Sequence, residues 1–410
     1  MKNNLITGLD LGSTSIRIAM GQAEPDGKFR FLGGVESASE GINKGIITGI
    51  EDAVSSISRA LEKAEQMSGL PCEHAFVGIS ASHIISQDSH GVVAVAKADG
   101  EIKESDVDRV LEAAQAVATP PNYEILHVIP RMFAVDNQRG IKDPVGMTGV
   151  RLEVDAQIIQ GLSSQMKNLT KCVCRTGADI DDLVFSILAT SEAVLARRQK
   201  ELGVAVVDIG GTMTSLAVFE EGDIVTTKVL PIGSGHITSD IAIGLRTSID
   251  MAEKIKVKYG STLPSEVDRR DEIDLGEFDQ SEGERVPRKY VAEIIEARCE
   301  EIFKLVNREL EGISRAGKLP AGIVLTGGGS QLKGLVELAK EKFRLPSFLG
   351  YPRGMEASDK MASPAFATAV GLVLWGRQEG GRAHSGKLPG FLGAGGTGKN
   401  IKKWFKFLMP

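Results

Sequence analysis

The chain has 410 residues and a mass of 43.7 kDa, enough for two or three globular units. Its 42% apolar and 25% charged residues exclude collagen-like, mucin-like and wholly disordered classes. A net charge of −6 excludes nucleic-acid binding by the chain as a whole. The charge is uneven, however. From Arg382 to Pro410 there are six Lys or Arg and no Asp or Glu, which leaves −12 on the remainder; a basic end on an acidic body predicts an anionic partner for that end. Four cysteines are too few for a disulfide framework. Cys172 and Cys174 lack a second pair or a His at zinc spacing, so all four read as free thiols in a reducing compartment. The first residues carry Asp10 within a short apolar run, unlike a signal peptide. No window approaches the ~20 apolar residues of a membrane span. These features predict a cytoplasmic protein.

In chain order, Leu5–Leu9 is a strand that turns through Asp10-Leu-Gly-Ser-Thr-Ser15 into a second strand carrying Ile16, Ile18 and Met20. Helical spacing spans Gly49–Met67 and stops near Gly69 and Pro71, and a strand follows at Ala75–Ile79. Ser82–Gly161 has the texture of several short strands and one helix, Glu104–Ala118. Ser163–Cys174 and Leu183–Leu195 are further helix candidates. At Val204–Val207 the opening pattern returns, with Asp208-Ile-Gly-Gly-Thr212 at the turn and Leu216, Val218 and Phe219 beyond it. Two copies of one motif half a chain apart predict two similar lobes, each opening with a hairpin. Helix Ile249–Tyr259 precedes a charged, loop-like stretch, Lys258–Lys289. A long amphipathic helix, Tyr290–Ser314, leads to a buried strand, Ala321–Leu325, a Gly run, Gly327–Ser330, and a helix, Leu332–Lys342. Ala365–Trp375 reads as a closely packed helix of small residues, and Arg377–Gly398 as a Gly-rich linker.

Facing Asp-x-Gly hairpins suit a nucleotide clamp. Turns of Gly and Ser/Thr offer N–H and hydroxyl groups to phosphate oxygens, and one Asp per hairpin suits a hydrated Mg²⁺ held with few carboxylates. A single such hairpin is ordinary; the repeat, together with the Gly run at a strand-to-helix junction, is what points to a ligand. Glu253 and Lys256 lie three apart on one helix, a spacing equally typical of a solvated surface pair. Gly393–Asn400 imitates a P-loop but ends in Asn, without the Mg²⁺-binding hydroxyl, and no proper strand precedes it. In Lys399–Pro410, the residues Ile401, Trp404, Phe405 and Leu408 share one helical face, with Lys399, Lys402, Lys403 and Lys406 opposite. That pattern matches an in-plane membrane anchor.

The two hairpins, the Gly run and the closing helix resemble the phosphate, adenosine and connecting motifs of the actin/DnaK/sugar-kinase superfamily. Within it the chain is similar to the FtsA family of bacterial cell-division proteins. The segment His127–Asp136 through Ile141–Met147 and Arg151–Val154 carries the resemblance most specifically, with Glu201–Gly211, Gly235–Ile241, Ala252–Lys256 and Ala367–Leu372. It implies an α/β, two-lobed actin-like (ribonuclease H-like) fold with a small inserted subdomain and a C-terminal amphipathic helix. Residues 1–81 and 163–198 would form the first lobe core, 82–162 the insert, 199–231 and 313–376 the second core, and 232–312 its subdomain. Residues 377–398 would be linker and 399–410 the membrane helix. It also implies ATP with Mg²⁺ held by Asp10 and Asp208. Gly12, Ser13, Thr14 and Ser15, with Gly210, Gly211 and Thr212, would form the phosphate loops, and Gly233, Ser234 and Gly235 would reach phosphates from the second lobe. Gly327, Gly328, Gly329 and Ser330 would cradle adenosine, with Glu253 and Lys256 at the ribose or base. Asp10, Asp208 and Glu192 are the catalytic candidates. The implied partners are the C-terminal tail of FtsZ, met by Arg288, Lys289, Arg298, Lys304 and Arg308, a second copy of the chain in actin-like protofilaments, later division proteins, and the anionic inner face of the membrane at the division septum.

The family commonly has Lys where this chain has Ser15. Its second hairpin usually reads Asp-x-Gly-Gly-Gly-Thr with a later Asp, where this chain has Thr212, Met213 and Ser215. A missing cation weakens charge compensation at phosphates, and Thr for Gly restricts backbone approach. ATP binding with slow or absent hydrolysis is the expectation. A pilus-assembly relative of the PilM type and a small-molecule kinase share the superfold. A chaperone-like ATPase would need a substrate domain for which no room remains after Trp375.

Overall fold

The computed structural model describes residues 5–24, 28–95, 100–116, 119–278, 285–355 and 359–380. The first lobe is a five-stranded sheet in the order β11 (Asp179–Phe185), β6 (His74–Ile79), β1 (Leu5–Leu11), β2 (Ser15–Ala23) and β3 (Phe29–Ala38). The second repeats it: β18 (Ser347–Leu349), β17 (Ile323–Thr326), β12 (Val204–Ile209), β13 (Thr214–Glu220) and β14 (Asp223–Leu230). In both sheets the hairpin strands pair antiparallel, and the first hairpin strand then pairs parallel with a strand reached through a crossover helix. Parallel pairs require such crossovers. They are supplied by α1 (Ile50–Ser68) in the first lobe and by the helices between Ser234 and Gly312 in the second, while α9 (Leu335–Phe343) makes the next crossover, from β17 to β18. The duplicated motif therefore corresponds to a duplicated sheet.

Local sequence explains these elements. In α1 the side chains of Ala53, Ile57, Ala60, Leu61 and Ala64 fall on one buried stripe. Gly69 ends the helix at φ +69°, where its N–H reaches the Glu65 carbonyl at 2.8 Å. In β12 every residue of Val204–Ile209 is buried except Asp208, which is partly covered, as suits a central strand packed on both faces. A short hairpin, β4 (Ile42–Asn43) with β5 (Ile46–Ile47), leads into α1.

Between β6 and β11 the chain builds a separate four-stranded antiparallel sheet, ordered β7 (Ile85–Ala94), β10 (Arg151–Leu162), β8 (Tyr123–Val135) and β9 (Gln138–Ile141). It is backed by α2 (Glu104–Ala116) and has its own apolar core around Val110, Phe133, Leu152 and Ile158. These strands are long rather than short: β8 has 13 residues and β10 has 12. From there α3 (Ser163–Cys174) returns the chain to β11.

Two helices join the lobes. α4 (Ser186–Val194) and α10 (Ala367–Gly380) cross so closely that a side chain on Gly371 would stand 2.0 Å from the Ala189 carbonyl. The large core beneath them runs from Leu9 and Ile18 in the first lobe to Val206 and Phe219 in the second. α5 (Arg197–Leu202) connects α4 to β12. A bundle of α6 (Ser234–Leu245), α7 (Ile249–Tyr259) and α8 (Arg288–Gly312) caps the second lobe around Ile241, Ile255, Ile295 and Phe303.

Several boundaries differ from the sequence reading. Leu183–Phe185 belongs to β11, because its parallel pairing with β6 takes the first residues of the expected helix. The stretch 258–289 contains a hairpin, β15 (Glu272–Asp274) with β16 (Arg285–Pro287), which its charge density concealed. α9 starts three residues late because Gly328–Gln331 makes a 3-10 turn first. α10 runs to Gly380 and absorbs the start of the expected linker. The remaining linker, the P-loop-like segment and the terminal helix lie outside the described residues. No helix among the described residues is long and apolar enough to cross a membrane. All four cysteines are unpaired.

Candidate functional site

Strand alternation sets the floor of the site. On β1, Leu9 and Leu11 enter the core, so Asp10 faces the other way; Asp208 on β12 likewise stands between buried Val207 and Ile209. The two aspartates approach each other across the interlobe seam. Burial is the main influence on both: it lifts Asp10 from 3.8 to about 7, with Arg17 pulling down and Asp208 pushing up. Asp208 rises to about 6, again through burial, against Arg17 and the Thr368 and Thr190 hydroxyls. Thr368 Oγ1 lies 3.5 Å from Asp208 Oδ2 and 2.9 Å from the Thr190 hydroxyl, so α10 and α4 each place one hydroxyl behind the second carboxylate.

Arg17 is the residue that sequence reasoning missed. It sits directly opposite Asp10 in the β1–β2 register, so the two side chains share a face. Its Nη2 donates to Glu36 Oε1 at 2.6 Å, and its Nε is buried without a hydrogen-bond partner. Ser15 stands where the family has Lys, and Arg17, two residues later on the same strand, brings a positive charge to both aspartates. The signal was available, since residues two apart on a strand point the same way.

The turns lie against each other. Thr212 Oγ1 donates to Ser13 Oγ at 2.9 Å, and a side chain on Gly211 would stand 2.5 Å from Thr14 Cγ2. Thr212 has no positive φ, so a third glycine is not needed for this turn. Ser215, where the family has Asp, meets Ser80 of the first lobe at 3.0 Å. Gly12 closes tightly on Ser15, whose carbonyl would lie 2.5 Å from an added Cβ.

The N–H groups of Gly233, Ser234 and Gly235 do not project freely from the start of α6. Ser234 and Gly235 donate to the Gly210 and Gly211 carbonyls at 2.8 and 2.6 Å, and Gly233 donates to His236 Nδ1 at 3.1 Å. In this structure these residues brace the second turn from behind.

In the Gly run, Gly327 at φ +83° approaches the carboxylate so closely that a Cβ would lie 2.1 Å from Asp208 Oδ1. Gly329 packs on Ile209 and Ser234, and Ser330 Oγ bonds the Gly327 carbonyl at 2.7 Å. Gly328 alone faces open space, with Arg17 Nη2 as its nearest neighbour at 3.8 Å from a Cβ. Lys256 is buried, and its Nζ contacts Glu253 Oε2 at 2.6 Å and Thr238 Oγ1 at 2.8 Å while Glu253 stays half exposed. The pair is thus anchored beneath α6 and is not a freely solvated one. Glu192 joins none of this. It lies about 200° around α4 from Thr190, and its carboxylate is held by Lys200.

Of the five basic residues assigned to a partner, two are committed internally. Arg298 clamps Asp240, at 2.8 Å from Nη2, and Glu301; Arg288 bonds Asp271 at 3.2 Å and the Tyr259 carbonyl at 3.0 Å. Lys289, Lys304 and Arg308 make no ion pair among the described residues, and Lys304 and Arg308 are exposed. The same helical bundle exposes Ile243 (76%) and Val257 (75%), with Ile249 and Tyr290 also open.

The comparisons with known proteins agree with this fold. The family model "Cell division protein FtsA" matches residues 205–371, and "SHS2 domain inserted in FTSA" matches 81–160. A cell division protein FtsA from Pseudomonas aeruginosa is 40% identical over 376 residues, covering 92% of this chain and 90% of that one. Among solved structures, a PilM–PilN type IV pilus biogenesis complex matches with TM-score 0.67 and 16% identity, over 91% of this chain and 98% of the other. MreB5 of Spiroplasma citri bound to ADP matches with TM-score 0.55 and 14% identity, over 93% and 99%. On these grounds the chain belongs to the FtsA family of actin-like cell division proteins.

Proposed function

We propose that this cell-division protein is a nucleotide-loaded adaptor that polymerises on the inner face of the membrane, tethers FtsZ there and helps recruit later division proteins. The observation that carries the reading is the paired site: Asp10 and Asp208 on facing hairpins, Arg17 between them, and the Gly run against Asp208. Such a set fits a magnesium–nucleotide complex. The buried Nε of Arg17 lacks a partner, and the raised pKa values of both aspartates describe carboxylates that gain from a cation beside them. The nucleotide bound in the MreB structure of the same fold supports this reading.

In that reading Asp10 and Asp208 would hold Mg²⁺, which supplies charge neutralisation at phosphate oxygens. Arg17 and the Ser13, Thr14 and Thr212 hydroxyls would meet phosphates. Gly328 leaves room for a flat base, and Glu253 and Lys256 would orient the ribose or base. Hydrolysis would be slow, because Glu192 is tied to Lys200 and Glu36, the further carboxylate on this face, is tied to Arg17. The same ion pairs disfavour a small-molecule kinase, and the resemblance to PilM at 16% identity extends to the fold only.

The tail of FtsZ would dock on the bundle of α6, α7 and α8, with Ile243 and Val257 taking apolar side chains and Lys289, Lys304 and Arg308 taking acidic ones. The inserted subdomain would contribute protofilament contacts, and Lys399–Pro410 would anchor the chain through Trp404, Phe405 and its lysines. Co-sedimentation with anionic liposomes and ATP, comparing the intact chain with one ending at Gly396, tests this reading. Pelleting of the intact chain alone, with filaments on the vesicles in electron micrographs, is the expected outcome; two soluble chains would overturn the membrane-anchor reading.

A further inference from the structure

The inserted subdomain is covalently part of the first lobe, yet it also grips the second. β14 is the outer strand of the second-lobe sheet, and β7 is an outer strand of the inserted sheet. Three alternate positions of β14 each meet a different element of the insert. Asp223 pairs with Lys142, which follows β9. The Val225 carbonyl accepts from Arg131 Nη2 of β8 at 2.6 Å, and the same guanidinium pairs with Asp88 at 2.9 Å. Thr227 meets the Ser86 hydroxyl of β7. Between them Ile224, only 1% exposed, packs into the core that also holds the first-lobe strands. A strand edge that would otherwise stand open is thus closed by an ion pair, a charge-assisted bond to a carbonyl and a hydroxyl pair. Asp223 is pushed up by burial and pulled back by Lys142, which marks it as an enclosed contact.

We propose that this row of contacts is a latch which couples the inserted subdomain to the opening of the interlobe seam, so that nucleotide at the seam and the stance of the insert control each other. The inference rests on the nucleotide reading above. The seam side of the coupling is visible at the turns, which touch through Thr212 and Ser13. Phosphates lying between Gly211 and Thr14 require those turns to part, and a lobe that parts from the first must pull β14 away from Lys142, Arg131 and Ser86 or carry the insert with it. Coupling of this kind is reciprocal. Whatever loosens the latch eases the parting, and whatever fixes it resists nucleotide.

The test uses the full chain carrying Cys174→Ser, which removes its exposed thiol. In that background ATP affinity is measured by calorimetry for the parent, for Lys142→Ala and Asp223→Ala, and for a Ser86→Cys/Thr227→Cys pair before and after mild oxidation. The Kd for ATP should fall about fivefold in either alanine variant. It should rise at least as much in the oxidised cysteine pair and return to the parent value on reduction. The oxidised and reduced forms are one folded protein, so the comparison survives any general loss of stability in the alanine variants. A parent that binds ATP with an affinity unchanged by all these alterations overturns the latch alone. A parent that binds no ATP overturns the nucleotide reading first, and the coupling with it.

Discussion

Replacing Asp10 by Asn should make the ligand-free protein more stable while depriving it of its response to Mg²⁺–ATP. Burial carries the Asp10 carboxyl from 3.8 to about 7, so keeping it ionised at pH 8 costs about 4 kcal/mol relative to the unfolded chain. The sign follows from proton counting. From about pH 4 to about pH 7 the folded chain holds a proton that the unfolded chain has released, so stability falls as pH rises through that window and stays low above it. Asn removes the charge but keeps a polar group that must find partners, so the recoverable part is about 3 kcal/mol. For a cooperative unit of lobe size this is about 5–10 °C in Tm. Saturating Mg²⁺–ATP, at a hundred times its Kd, adds about 2.7 kcal/mol to the unaltered protein and little to the variant. The assay is thermal unfolding by circular dichroism from pH 5 to pH 8, with and without Mg²⁺–ATP. Without ligand, the Tm of the unaltered protein should drop toward pH 8 more steeply than that of Asp10→Asn, which keeps only the smaller burial penalty of Asp208, and ligand should close most of the gap at pH 8. Equal, pH-independent Tm values in the ligand-free proteins would refute the argument that burial stores a penalty at this carboxylate.

The same geometry makes further predictions. Arg17→Ala should weaken ATP binding about 10- to 100-fold, the worth of a charge-assisted contact, whereas Ser15→Ala should change it little; calorimetric titration separates the two. Gly327→Ala forces a Cβ to within 2.1 Å of Asp208 Oδ1 at a positive φ, and should cost about 3 kcal/mol in denaturant unfolding. Lys304→Glu with Arg308→Glu should cut affinity for an FtsZ tail peptide about tenfold by fluorescence anisotropy, with stability unchanged. Arg298→Ala should instead lower Tm, because it strands Asp240 and Glu301.

The sequence by itself determined the repeat. Two apolar strands each running into Asp-x-Gly, and a Gly run after a third, are local patterns, and local patterns place hairpins, caps and close approaches without reference to the rest of the chain. The stripe of α1, the glycine at its end and the small residues of α10 were legible for the same reason. What only the tertiary structure decided were relations between segments distant in sequence. Arg17 stands beside the aspartates because antiparallel register sets it opposite Asp10. Glu192 and Arg298 are held in internal ion pairs because Lys200 and Asp240 reach them. The amides of Ser234 and Gly235 were taken by carbonyls some 24 residues away. The latch from Lys142 to Asp223 spans 81 residues. Charge and hydrogen-bonding capacity are properties of a residue, but whether they are spent inside the fold or offered to a ligand depends on which partners the packing brings near.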